Sequence, residues 1–266
     1  MSGAVEVHHL EEEPPGSPGS PALLLSNSLG STLHMWDGQA GPLAGHFRVI
    51  RYDHRGHGES PVPPGPYELF ELGGDVLALL DRLGVERAHV CGASLGGQVA
   101  MWLAAHAGDR VDRVVLCGTS AWFGPAEPWN ERAALVRAQG TGAVAAAVVG
   151  RWFTPPFAQR NPDVIERMRS MIASTPAEGY ASCCEVVGKT DLRTELGAIR
   201  APTLVIAGAE DPAVSRDMIE TLSNGIAGSR VEVLDPAAHL ANVERSAEVT
   251  QLILRHLRGG AEEEES

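Results

Sequence analysis

Short runs of apolar residues recur along the chain, separated by polar, glycine-containing stretches. Residues 5–10, 22–26, 47–52, 88–91, 113–117, 203–207 and 231–234 have this character. In Leu23-Leu24-Leu25 and Val114-Val115-Leu116 successive positions are apolar, so both strand faces are covered, as in a parallel sheet packed between helices. Elsewhere the apolar period lengthens to that of a helix. Residues 75–83 place Val76, Leu79, Leu80 and Leu83 on one face with Gly84 as the stop, and residues 95–107 and 246–257 predict two more helices. This alternation predicts an α/β fold with a mostly parallel, doubly wound sheet. Residues 11–21, rich in Glu, Pro, Gly and Ser, predict a surface loop or hairpin tip.

The alternation breaks over residues 122–190, which hold Trp122, Trp129, Trp152 and Phe153, helical stretches at 131–138 and 163–172, and proline breaks at Pro155, Pro156 and Pro176. An insertion after the strand at 113–117 lies over the C-terminal strand ends, where open α/β sheets bind ligands. The expected organisation is a core of residues 1–121 and 191–258, a helical cap of 122–190, and an acidic, disordered tail of 259–266.

The sharpest local signal is Gly92-Ala93-Ser94-Leu95-Gly96, between a strand-like run and an apolar helical one. A strand reversing directly into a helix brings backbone against backbone, so residues two before and two after the tip must lack a Cβ. Ser94 stands at that tip as a candidate nucleophile, with the Leu95 N–H and the helix N-terminus aimed at the same spot. The competing reading is a serine that caps the helix. The loop Asn27-Ser28-Leu29-Gly30-Ser31-Thr32 follows an early strand and offers the Leu29 N–H as a second oxyanion donor; an ordinary strand-to-helix turn with Asn27 or Ser28 as cap is the alternative. Asp211 falls just past the strand at 203–207, and is either the acid of a triad or an Asp-Pro turn residue. His239, alone among ten histidines, sits on a loop beyond the last strand. The order Ser94, Asp211, His239 is that of an elbow-type hydrolase, with His239 as base.

Composition narrows the partners. With 266 residues, 44% of them hydrophobic, the chain can bury one large core. A net charge of −13 argues against nucleic acid or an anionic membrane surface, although part of it lies in Glu262-Glu263-Glu264-Glu265. No apolar run approaches membrane-spanning length and no secretory pattern opens the chain, so a cytoplasmic location is expected. Cys91, Cys117, Cys183 and Cys184 lack paired metal-ligand spacing, and neither zinc nor a disulfide is expected. Asp53, His54 and His57 invite a metal reading, but the glycines and charges of Asp53-His54-Arg55-Gly56-His57-Gly58 fit a structured turn better. No metal or organic cofactor is expected.

Over almost its whole length the chain resembles the α/β-hydrolase superfamily and, within it, the 3-oxoadipate enol-lactonases. The residues that carry the closer resemblance are Leu25-Ser26-Asn27-Ser28-Leu29-Gly30-Ser31-Thr32-Leu33-His34-Met35-Trp36-Asp37, Arg51-Tyr52-Asp53-His54-Arg55-Gly56-His57-Gly58, Trp129-Asn130-Glu131-Arg132 and Arg151-Trp152-Phe153-Thr154. The chain departs from the family where relatives carry Leu-Ser-Met or similar and it has Ala93-Ser94-Leu95. Some members continue into a carboxymuconolactone decarboxylase domain; this chain stops where that would begin, so the second activity is not expected. The resemblance implies hydrolysis of 3-oxoadipate enol-lactone, a small anionic lactone, to 3-oxoadipate in aromatic degradation. A general carboxylesterase or cofactor-free perhydrolase would share the triad, a noncatalytic receptor would carry a degraded one, and Ser94 excludes a haloalkane dehalogenase.

An anionic substrate requires a local cation in a negatively charged protein. Every basic residue except Lys189 is an arginine, which suits bidentate capture of a carboxylate. Arg132 follows Trp129 by one helical turn, and Trp152 adds an indole N–H, so Arg132, Trp129 and Trp152 are the candidate substrate-binding residues, with Arg151 next in line. The alternative is that Arg132 is a solvated helix residue and the tryptophans are cap core.

Overall fold

The computed structural model describes residues 3–13 and 19–259. The acidic run of the tail, expected to be disordered, and residues 14–18 of the loop expected at 11–21 lie outside the described residues, while Glu11 and Glu12 of that loop belong to the first strand. Seven strands form one sheet: β1 (His9–Glu12), β2 (Ala22–Ser26), β3 (Arg48–Tyr52), β4 (Ala88–Ala93), β5 (Val111–Cys117), β6 (Thr203–Gly208) and β7 (Arg230–Leu234). Their order is β1-β3-β2-β4-β5-β6-β7, with β1 antiparallel to β3 and every other pair parallel. Strands β2, β4 and β6 are buried at every position, so continuous apolar runs mark strands covered on both faces. This is the expected α/β architecture. After β2 the chain crosses to β3 on one side, and β4 returns to the other side of β2, so the C-terminal ends of β2 and β4 flank a topological switch point.

Around the sheet lie α1 (Asp37–Ala44), α2 (Leu69–Arg82), α3 (Leu95–His106), α9 (Arg216–Gly225), α10 (Ala241–Glu244) and α11 (Ser246–Leu257). Between β5 and β6 the chain forms α4 (Glu127–Gln139), α5 (Gly142–Val149), α6 (Pro155–Arg160), α7 (Pro162–Ser174) and α8 (Ala177–Lys189). Among the described residues no helix is long and apolar enough to cross a membrane.

Some expectations need correction. The first strand is His9–Glu12, later than residues 5–10, because the preceding backbone is held by side chains: Val5 N–H donates to Asp75 Oδ1 at 2.8 Å and His8 N–H to Ser60 Oγ at 2.9 Å. Helix α2 begins at Leu69, well before residue 75. Gly73 looks like a breaker in sequence, but a Cβ there would lie 2.1 Å from the Trp102 ring, so this glycine permits close packing of α2 on α3. Pro155 and Pro156 open α6, where the missing N–H costs no helical bond, and Pro176 precedes α8. Helices α5, α6 and α8 had no counterpart in the sequence reading.

Candidate active site

The turn from β4 to α3 is built as its glycines require. A Cβ on Gly92 would lie 2.1 Å from Gly96 O, and one on Gly96 would lie 2.3 Å from Ser26 O. Ser94, at φ 53° and ψ −115°, is the only residue other than glycine with positive φ among the described residues. Such a conformation costs on the order of 1–3 kcal/mol and persists only where its surroundings enforce it. Here they do: Ser94 N–H donates to Cys117 O at 3.0 Å, and Ser94 O accepts from Gly97 N–H at 2.9 Å and Thr119 Oγ1 at 2.6 Å. The Ser94 side chain makes no helix-capping bond, which disposes of the capping alternative and leaves the hydroxyl toward the cavity described below.

The β2 loop is fixed by the turn after β3, which gives Asp53, His54 and His57 their purpose. His54 Nε2 donates to Asn27 O at 3.0 Å, and Asn27 Nδ2 donates to Tyr52 O at 2.6 Å. Gly30 N–H donates to His57 Nε2 at 3.0 Å, while the other ring nitrogen of His57 lies 3.3 Å from Arg55 O. Asp53 Oδ1 accepts from Leu33 N–H at 2.8 Å. Desolvation pushes His54 down to about 3 and His57 down to about 4, so both rings are neutral at physiological pH and His57 can accept from the loop. Ser28 N–H meets Met35 Sδ at 3.2 Å and Ser31 N–H meets Ser28 O at 3.1 Å. Among the described residues the Leu29 N–H, between these bonded neighbours, has no acceptor in the chain. The same residues hold no group of three or more His, Cys, Asp and Glu side chains arranged for a metal.

Asp211 lies beyond β6 and His239 beyond β7. Asp211 Oδ1 accepts from Ala213 N–H at 2.7 Å, which orients the carboxylate, and Asp211 Oδ2 meets His239 Nδ1 at 2.8 Å. The Asp211 side chain is 1% exposed. Bonding at Nδ1 leaves His239 Nε2 as the ring atom free to take a proton. Asp235 is exposed. A second layer ties this loop to the helical insertion: Leu240 N–H donates to Trp152 O at 3.0 Å, and the Glu244 carboxylate accepts from Ala238 N–H at 3.0 Å, from Thr154 N–H at 3.2 Å and from Thr154 Oγ1. Glu244 does not stand out in sequence, and His57 stands out there only as part of a structured turn, because the Thr154 and Gly30 groups they hold lie far away along the chain.

One cavity of ≈ 240 Å³ joins these parts, with Ser28, Leu29, Ser94 and His239 on the sheet side and Trp129, Arg132, Arg151, Trp152 and Tyr180 on the insertion side. Leu95 stands at the first turn of α3 beside Ser94, and Asp211 lies behind His239. The Arg132 guanidinium sits over the Trp129 ring, 4.6 Å from its centroid. Among the described residues neither Arg132 nor Arg151 meets a carboxylate, whereas Arg137 on the same α4 pairs with Glu178 and Glu185. Partial burial and the Arg132 charge lower the Arg151 guanidinium from its usual value. Two guanidiniums lining the cavity with no carboxylate partner among the described residues make its insertion side electropositive. The Trp129 indole N–H is directed at Phe123 O, 3.5 Å away.

A strained serine at a strand-to-helix turn, an Asp–His pair on later strand ends and an insertion over the sheet define a class, and the family of the alpha/beta hydrolase fold matches residues 21–246. The chain belongs to this family of hydrolases. It is similar to 3-oxoadipate enol-lactonase 2 of Acinetobacter baylyi, at 44% identity over 86% of each chain. Among solved structures it is similar to the enol-lactonase from Burkholderia xenovorans LB400, with TM-score 0.93 and 43% identity over 96% of this chain and 97% of that one. A thermophilic esterase from Thermogutta terrifontis, in a malate-bound structure, has TM-score 0.89 and 32% identity over 96% of this chain and 93% of that one.

Proposed function

We propose that the protein hydrolyses 3-oxoadipate enol-lactone to 3-oxoadipate through an acyl-enzyme on Ser94. The observation that carries this reading is the pair of counterion-free arginines, Arg132 and Arg151, in the cavity that also holds Ser94 and His239. A substrate with an anion at one end and an acyl carbon at the other answers both halves of that cavity. His239 takes the Ser94 proton as the oxygen attacks the lactone carbonyl, and Asp211 holds the imidazole in the required tautomer. The N–H groups of Leu29 and Leu95 receive the oxyanion. Collapse breaks the ring C–O bond and expels an enolate, a better leaving group than an alkoxide, which takes the proton held by His239 and becomes the ketone. His239 then activates water to release the acyl group. Trp129 orients Arg132 by stacking, and Trp152 walls the cavity beside the base. On this reading residues 122–190 act as the cap, and the protein works in the cytoplasm in the β-ketoadipate pathway, with no cofactor.

Likeness to the esterase supports a second reading, a carboxylesterase for neutral esters. Steady-state rates on the enol-lactone beside p-nitrophenyl acetate separate the two. The lactonase reading expects kcat/KM for the lactone to exceed that for the neutral ester by orders of magnitude, and Arg132→Ala to lower only the lactone value, by about 2 kcal/mol. Comparable rates on both substrates would favour the esterase. Ser94→Ala and His239→Ala should each remove roughly a thousandfold or more of either activity.

A further inference from the structure

We propose that Tyr180 is a third donor in the anion site, its hydroxyl binding the substrate carboxylate together with Arg132 and Arg151. The inference rests on the reading of the cavity as an acidic lactone's site and adds a residue that sets its specificity. Tyr180 lies on α8, fully buried, and contributes to the cavity wall. Among the described residues its hydroxyl has no hydrogen bond of ordinary geometry. The groups that bear on it are the Cys184 thiol, kept protonated by its own burial, and the guanidiniums of Arg132, which is near enough to donate to the phenol oxygen, and Arg151; the guanidiniums can donate but never accept. The hydroxyl proton therefore has no protein acceptor, and leaving a buried hydroxyl in that state is costly unless a ligand completes it. Three donors without an acceptor in one wall of a cavity call for an anion with several lone pairs, and a carboxylate has them.

Burial raises the Tyr180 phenol well above its ordinary value, so it stays protonated and can only offer its hydrogen at working pH. Its ring is also pressed against the β2 loop: a Cβ on Gly30, whose φ is +76°, would lie 2.7 Å from Tyr180 Cε2. The ring has a packing role separable from that of the hydroxyl, and Tyr180→Phe keeps the first while removing the second.

The test uses two substrates and one inhibitor. Tyr180→Phe should lower kcat/KM for the carboxylate-bearing enol-lactone by about tenfold or more, as for loss of a hydrogen bond to a charged group. It should leave p-nitrophenyl acetate hydrolysis within about twofold, which also reports that the fold is intact. Glutarate, used as a competitive inhibitor of the neutral-ester reaction, should bind more weakly to Tyr180→Phe, Arg132→Ala and Arg151→Ala than to the wild type. Weaker inhibition in the arginine variants with unchanged inhibition in Tyr180→Phe would overturn the role of Tyr180 alone. Unchanged inhibition in all three would overturn the anion site itself. An equal loss on lactone and neutral ester in Tyr180→Phe would assign the hydroxyl to the structure of the β2 loop and reject it as a ligand.

Discussion

Asp211 and Asp235 both stand near the end of a strand in the last third of the chain, and their environments decide which one serves His239. Asp211 is buried, receives the Ala213 N–H and faces His239 Nδ1 at 2.8 Å, while Asp235 is exposed. Asp211→Asn should lower kcat by about 10⁴-fold with a small change in KM, because the amide favours the wrong imidazole tautomer. Asp235→Asn should leave both constants near wild type; a steady-state comparison in which Asp235→Asn is the damaging change would reverse the assignment. Ser94, Asp211 and His239 were legible as candidates because elbow chemistry confines them to strand ends, where sequence punctuation is clear. Tyr180 and Glu244 were not, and His57 was legible only as part of a turn, since their surroundings assemble only on folding: Glu244 reaches Thr154, 90 positions away.

The β2 loop shows how one element depends on another. Its conformation is imposed by the turn after β3 through Asn27 O, Gly30 N–H and Leu33 N–H, so the position of the Leu29 N–H, the proposed oxyanion donor, depends on residues it does not touch. His57→Leu removes the acceptor for Gly30 N–H and should lower kcat by about 10- to 100-fold, a fraction of what loss of an oxyanion donor costs, with KM little changed. His57→Gln restores an acceptor and should recover part of the loss. Equal kcat in wild type and His57→Leu would remove this anchoring role. In sequence the turn was legible as structure without its purpose. The helices of the insertion were the least legible elements, because their proline openings read as breaks and their apolar positions face several neighbours at once.

Across the whole molecule, neutral histidines, His54 and His57 fully buried and His256 half-buried, set an acid limit on stability. His54 is held at about 3, and His57 and His256 at about 4, against 6.5 in an unfolded chain. Below pH 6.5 the unfolded state binds protons that the folded state refuses, so stability falls as pH drops from 6.5 toward 4. Each group contributes up to about 1.4 kcal/mol per pH unit in that window. Urea denaturation at pH 7 and pH 5 should give a lower unfolding free energy at pH 5, and His256→Gln should shrink the difference; a flat profile over this range would contradict the burial of neutral imidazoles. The bridge from Glu244 to Thr154 and Ala238 has a different consequence, for redesign. Segment 151–154 and the His239 loop form one mechanical unit, so on the proposed mechanism altering substrate scope there disturbs proton transfer as well. Pro128, Trp129 and Arg132 on α4 face the same cavity from outside that unit, so a library confined to α4 can vary what the insertion side accepts without loosening the Glu244 bridge.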